Sequence, residues 1–77
     1  MTKCLEQITV AKIIRYIVKK GWYKQQGSNF VYKLNIGAGR TLHLTITKDK
    51  FFEIITKLAC VENRPDFCIV KDINAET

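Results

Sequence analysis

Two seven-residue runs, FVYKLNI at residues 30–36 and TLHLTIT at residues 41–47, alternate apolar and polar side chains almost without interruption. A strand sends successive side chains to opposite faces, so each run reads as a half-buried strand. Phe30, Tyr32, Leu34 and Ile36 share one face of the first, and Leu42, Leu44 and Ile46 share one face of the second. Paired residues point the same way, so the two apolar faces coincide only if the connection adds an odd residue. Gly37-Ala38-Gly39 supplies a three-residue loop, with Gly39 suited to the left-handed position of a bulged hairpin. This register sets Leu34 opposite Leu42 and Lys33 opposite His43. Val31, Lys33, Asn35, Thr41, His43, Thr45 and Thr47 then form a polar, slightly basic outer face.

The flanking segments change period. Thr9 is placed to cap a helix in which Val10, Ile13, Ile14, Ile17 and Val18 recur at three and four, and Gly21 ends it. Lys12, Arg15, Tyr16 and Lys19 form a second stripe along the same helix, basic and with one aromatic. WYKQQ follows as a short edge strand, then the turn Gly27-Ser28-Asn29. After the hairpin, Asp49 is placed to cap a helix that buries Phe51, Ile54, Ile55, Leu58 and Val61. Asn63 and Pro65 stop it, and Pro65 opens a short last helix with Phe67, Ile69, Val70 and Ile73 on its inner side. Residues 74–77 are expected to fray. The order predicts one α+β domain over residues 1–77: helix, three-stranded antiparallel sheet, helix, and a short C-terminal helix. The helices cover one sheet face and leave the other in water.

At 77 residues the chain has room for one modest core and little for a deep catalytic cavity, so a broad, shallow working surface is expected. No apolar run reaches the length of a membrane span, and MTKCLEQ lacks the apolar block of a signal peptide, which points to the cytoplasm, or a host's cytoplasm for a viral gene. Cys4, Cys60 and Cys68 are odd in number and fit no paired zinc-ligand spacing. Reduced thiols, with Cys60 and Cys68 packed, are expected, and neither metal nor cofactor. Charge is divided along the chain: residues 1–48 hold nine Lys and Arg against one acid, Glu6, whereas residues 49–77 hold four against six acids. Such a split suits a polyanion or an acidic protein meeting the first half.

The stretch KKGWYKQQGSNFVYKLNIGAGRTLHLTI resembles the HicA-like family of small RNA-cleaving toxins. It shares the Lys-Lys-Gly-aromatic helix end, the Gly27-Ser28 turn, the Tyr32-Lys33 strand and a short Gly-containing hairpin. The resemblance covers about half the chain and implies a double-stranded-RNA-binding-like sandwich. One departure bears on function. The family's turn reads Gly-Ser-His with a catalytic histidine, and this chain has Asn29 there; an amide cannot exchange a proton near neutral pH as imidazole does.

His43, the lone histidine, stands a strand away from that turn, and the basic half offers no carboxylate pair. The residues that could meet nucleic acid are Lys12, Arg15, Tyr16 and Lys19 on the helix, Tyr23 and Lys24 on the edge strand, Ser28 and Asn29 in the turn, and Lys33, Arg40 and His43 on the hairpin. The helix stripe reads equally as an ordinary solvated face, and Gly-Ser-Asn as ordinary turn chemistry; Trp22 is expected to pack while Tyr23 points outward. Two functions follow: a non-catalytic module that binds nucleic acid, RNA favoured, or a small phage or mobile-element protein that binds an acidic protein in host defence or regulation. Residual ribonuclease activity through His43 ranks behind both. The WYKQQ edge also offers a route to a homodimer.

Overall fold

The computed structural model describes residues 8–76, and within them the expected hairpin sets the frame. Strand β2 (Val31–Gly37) pairs antiparallel with β3 (Arg40–Thr45), with Leu34 opposite Leu42 and Lys33 opposite His43. The connection differs from the expected three-residue loop. Gly37 pairs with Arg40, Ala38 and Gly39 turn the chain with φ of 54° and 71°, and the ladder shifts between Asn35 and Gly37. A two-residue turn with both φ values positive matches the twist of the strands, and the bulge at Ile36 provides the odd residue that the apolar faces require. Strand β1 (Tyr23–Lys24) completes the order β1-β2-β3, with Tyr23 opposite Lys33 and Lys24 opposite Tyr32.

Helix α1 (Val10–Lys19) starts where Thr9 Oγ1 accepts from the Lys12 amide at 3.2 Å. It stops where Gly21, at φ 101°, lets the amides of Gly21 and Trp22 reach back to the carbonyls of Val18 and Ile17. Its inner side holds Ile13, Tyr16 and Ile17, while Val18 is exposed, contrary to the expected apolar stripe. The helix is turned about its axis because a third helix packs along the flank that carries Tyr16.

Asp49 does not cap the next helix. It lies inside a one-turn 3-10 segment (Lys48–Lys50), and α2 (Phe51–Glu62) continues from it without a side-chain cap. Helix α2 buries Ile54, Ile55, Leu58 and Ala59, leaves Val61 exposed, and ends at Asn63, whose φ of 55° is tolerated best by Gly and Asn. Helix α3 (Asp66–Asn74) follows Pro65 and buries Ile69 and Ile73 against α1 and α2. Phe67 lies well round α3 from that seam and faces solvent. Of the segment expected to fray, Asn74 closes the helix, the Glu76 amide donates to the Ile73 carbonyl at 3.0 Å, and Thr77 lies outside the described residues.

The core gathers Ile8, Ile13, Ile17 and Trp22 from the first half, Tyr32, Leu44 and Ile46 from the inner sheet face, and Ile54, Ile55, Leu58, Ile69 and Ile73 from the last two helices. The layout is therefore the α+β one expected: a helix, a three-stranded antiparallel sheet and two further helices, with Thr41, His43 and Thr45 exposed on the uncovered face. Cys60 is exposed and Cys68 half-buried, so neither packs as fully as expected; Cys4 and Glu6 lie outside the described residues. No helix among the described residues is long and apolar enough to cross a membrane.

Candidate functional site

On the uncovered face the ladder lines up Tyr23, Lys33 and His43 as one row across the three strands, since laterally paired residues point the same way. Tyr23 is 44% exposed and His43 is exposed, with Lys33 half-buried between them. The next row holds Asn35 and Thr41, whose hydroxyl donates to Asn35 Oδ1 at 3.2 Å, and the row on the other side holds Val31 and Thr45. Arg40 stands exposed at the hairpin end. Lys24 does not join this surface. Its partner is the buried Tyr32, so it points toward the helix side and stays solvated only because β1 is the sheet's edge. The two sheet lysines thus serve opposite faces.

The turn ahead of β2 is built by its own hydroxyl. Ser28 Oγ accepts from the amides of both Phe30 and Val31 at 3.2 Å, which fixes the approach to the strand, while Asn29 is exposed beside it. His43 pairs with Lys33, inside β2, whereas Asn29 lies in the turn ahead of that strand. His43 therefore does not bring an imidazole to the turn.

The α1 stripe is divided. Tyr16, expected outside, is 3% exposed, and its hydroxyl donates to the Glu62 carboxylate, 2.8 Å from each oxygen. Arg64 bridges Glu62 at 3.1 Å and Asp72 at 2.6 Å, Lys20 lies 3.7 Å from Glu62 and over the Tyr16 ring, and Lys19 meets Glu76 at 2.8 Å. Burial, then the hydrogen bond and charge of Glu62, push the Tyr16 phenol well above its ordinary range, so it stays a neutral donor. Asp72 and Glu62 hold the Arg64 guanidinium charged even more firmly than usual. Three cations and three carboxylates cancel here, tying α1 to the end of α2 and to α3. Lys12 and Arg15, one turn nearer the start of α1, stand outside this cluster, with Arg15 exposed and Lys12 half-buried.

The expected single cationic front is thus two regions. The sheet face and hairpin tip keep Tyr23, Lys33, Arg40 and His43 together, while Lys12, Arg15 and Lys19 belong to the helix layer behind. Glu62, Arg64, Asp72 and Glu76 were not singled out from the sequence. The signal for them was the charge split itself, because two oppositely charged halves of a small domain fold against each other. Among the described residues, no group of three or more His, Cys, Asp or Glu side chains is placed to hold a metal ion. Comparison with protein-family models, curated proteins and solved structures finds no match.

Proposed function

We propose that the protein is a non-catalytic nucleic-acid-binding module that presents its uncovered sheet face to RNA. The observation that carries this reading is the row Tyr23–Lys33–His43, flanked by Asn35, Thr41, Thr45 and Arg40, in a stretch with no Asp or Glu from residue 8 to residue 48. Lysine and arginine gain affinity by releasing counterions from phosphates, and an exposed tyrosine ring gives a base a surface to stack on. The amide and hydroxyls of Asn35, Thr41 and Thr45 suit the 2′-hydroxyl that separates RNA from DNA. The HicA-like resemblance supports the same ligand class, and Asn29 in the histidine position supports binding without cleavage. Such a role places the protein in the cytoplasm of its own cell or of a host.

Titration of a fluorescent single-stranded RNA 12-mer at several salt concentrations tests the proposal. Binding should weaken with a log–log slope of about −0.7 per phosphate contact, and a Lys33→Glu/Arg40→Glu variant should lose at least tenfold in affinity. Equal binding by both proteins, or affinity indifferent to salt, would sink it.

A further inference from the structure

We infer that the outer edge of β3 accepts an extended acidic segment of a partner protein as a fourth strand. The backbone pattern identifies the edge. The Ile46 amide donates to the Phe30 carbonyl at 2.7 Å, so with the observed register Leu42, Leu44 and Ile46 turn their backbone groups toward β2. Thr41, His43 and Thr45 then turn theirs away from it, and the His43 carbonyl does so visibly, accepting from Lys57 Nζ at 3.0 Å. β3 ends the strand order, so among the described residues no strand lies beyond it.

Charge selects the occupant. Arg40, His43, Lys48 and Lys57 are exposed on or beside this edge. The acids nearest in sequence lie in the 3-10 turn (Asp49) and the first turn of α2 (Glu53), and Glu53 has Lys50 at 3.7 Å. A strand added to β3 would place alternate side chains on the open face beside Thr41, His43 and Thr45, and the others beside Leu42 and Leu44. Carboxylates fit the first set and small apolar groups the second. On docking, the His43 carbonyl takes an amide from the incoming strand, and Lys57 moves from that carbonyl to a carboxylate.

A second copy fits poorly. Antiparallel β3–β3 pairing about His43 would bring the two Lys57 side chains, each on its own His43 carbonyl, against one another and turn Arg40 of each copy toward the Lys48 end of the other. The opposite edge is a worse candidate, since β1 has two residues and Lys24 points beneath it, a feature that discourages strand addition. This inference does not depend on RNA binding.

The test uses three capped heptapeptides: one alternating Glu and Val, one alternating Lys and Val, and the Glu peptide N-methylated at alternate amides on each edge. Each is added to the isotope-labelled full chain, and amide exchange is followed by NMR. The Glu peptide should slow exchange of the Thr41, His43 and Thr45 amides at least tenfold and leave Leu42 and Leu44 unchanged. The Lys and N-methylated peptides should do neither, and a Lys57→Glu variant with an unaltered spectrum elsewhere should weaken the effect at least tenfold. No slowing at millimolar Glu peptide, or equal slowing by the Lys peptide, overturns the inference. Slowing that rises with protein concentration alone would assign the edge to a second copy, and slowing by an RNA oligonucleotide in place of the peptide would assign it to nucleic acid; either refutes an acidic protein segment.

Discussion

Replacing Glu62 by Ala removes the acceptor that ties α1 to the later helices, and its cost follows from the contacts. The Glu62 side chain is 14% exposed and receives the Tyr16 hydroxyl at 2.8 Å and Arg64 at 3.1 Å. Without it the buried Tyr16 O–H has no acceptor among the described residues, because Arg64 Nη1, at 3.5 Å, is itself a donor. An unsatisfied buried donor costs about 1–3 kcal/mol, and a bond to a charged group contributes about 1.5–3 kcal/mol, so Glu62→Ala should cost about 2–3 kcal/mol. Tyr16→Phe removes the donor and leaves the carboxylate with Arg64 and Lys20, a loss of about 1 kcal/mol. The double variant should be little worse than Glu62→Ala alone, because the hydroxyl that Glu62→Ala strands is already gone; the coupling should be about 1 kcal/mol. A chain of 77 residues has about 4–12 kcal/mol in total, so these losses are large fractions of it. Equilibrium urea unfolding followed by tryptophan fluorescence reads them: at a slope near ~1 kcal/mol/M, the midpoint should fall by about 2–3 M for Glu62→Ala and about 1 M for Tyr16→Phe. Additive losses in the double variant, or a Glu62→Ala midpoint within ~0.5 M of the parent, would show that the phenol and carboxylate do not act as a unit.

Leu58→Ala, at a fully buried position between the sheet and helices, should cost about 2–5 kcal/mol and leave the domain partly unfolded at 37 °C, as calorimetry would record. Gly21→Ala should cost about 1–2 kcal/mol because φ 101° strains any L side chain; an added Cβ would sit 3.5 Å from Leu34 Cδ1, so the loss comes from the backbone and a thermal melt should show no cavity-like change elsewhere. Lys33→Thr should stabilise the fold by up to about 1 kcal/mol by placing a β-branched side chain in the middle strand, while lowering the salt slope of RNA binding by about 0.7; a variant that gains stability and keeps its RNA slope would separate Lys33 from the proposed site.

The parts legible in the sequence were those governed by local period. Alternation over residues 30–36 and 41–47 fixed the hairpin register, since a one-residue slip would bury Lys33 and expose Leu34. It left the turn open, because a three-residue loop and a two-residue turn with a bulge both add one odd residue. Trp22 packed and Tyr23 faced out as expected of adjacent aromatics after a helix stop. What failed depended on the third layer of contacts. Whether Val18 or Tyr16 lies on the inner side of α1 is decided by where α3 docks, and α1's own spacing holds no record of that. Phe67 and Val61 fall outside the core for a related reason: α2 and α3 bury narrow seams, Ile54–Leu58 and Ile69–Ile73, that a list of apolar residues overstates.

The same docking decides where the charges act. Of the acids after residue 48, Glu62, Asp72 and Glu76 gather on the end of α1, and Glu53 pairs with Lys50. Exposed pairs of this kind contribute about 0–1 kcal/mol each, so Lys19 and Glu76 add little alone; the partly buried Tyr16–Glu62–Arg64 set holds the helices together. Neutralisation behind the sheet has a consequence in front of it. Among the described residues no acid pairs with Lys33 or Arg40. Those unpaired cations are what the proposed contact with anions needs, whether phosphates across the open face or carboxylates along the β3 edge.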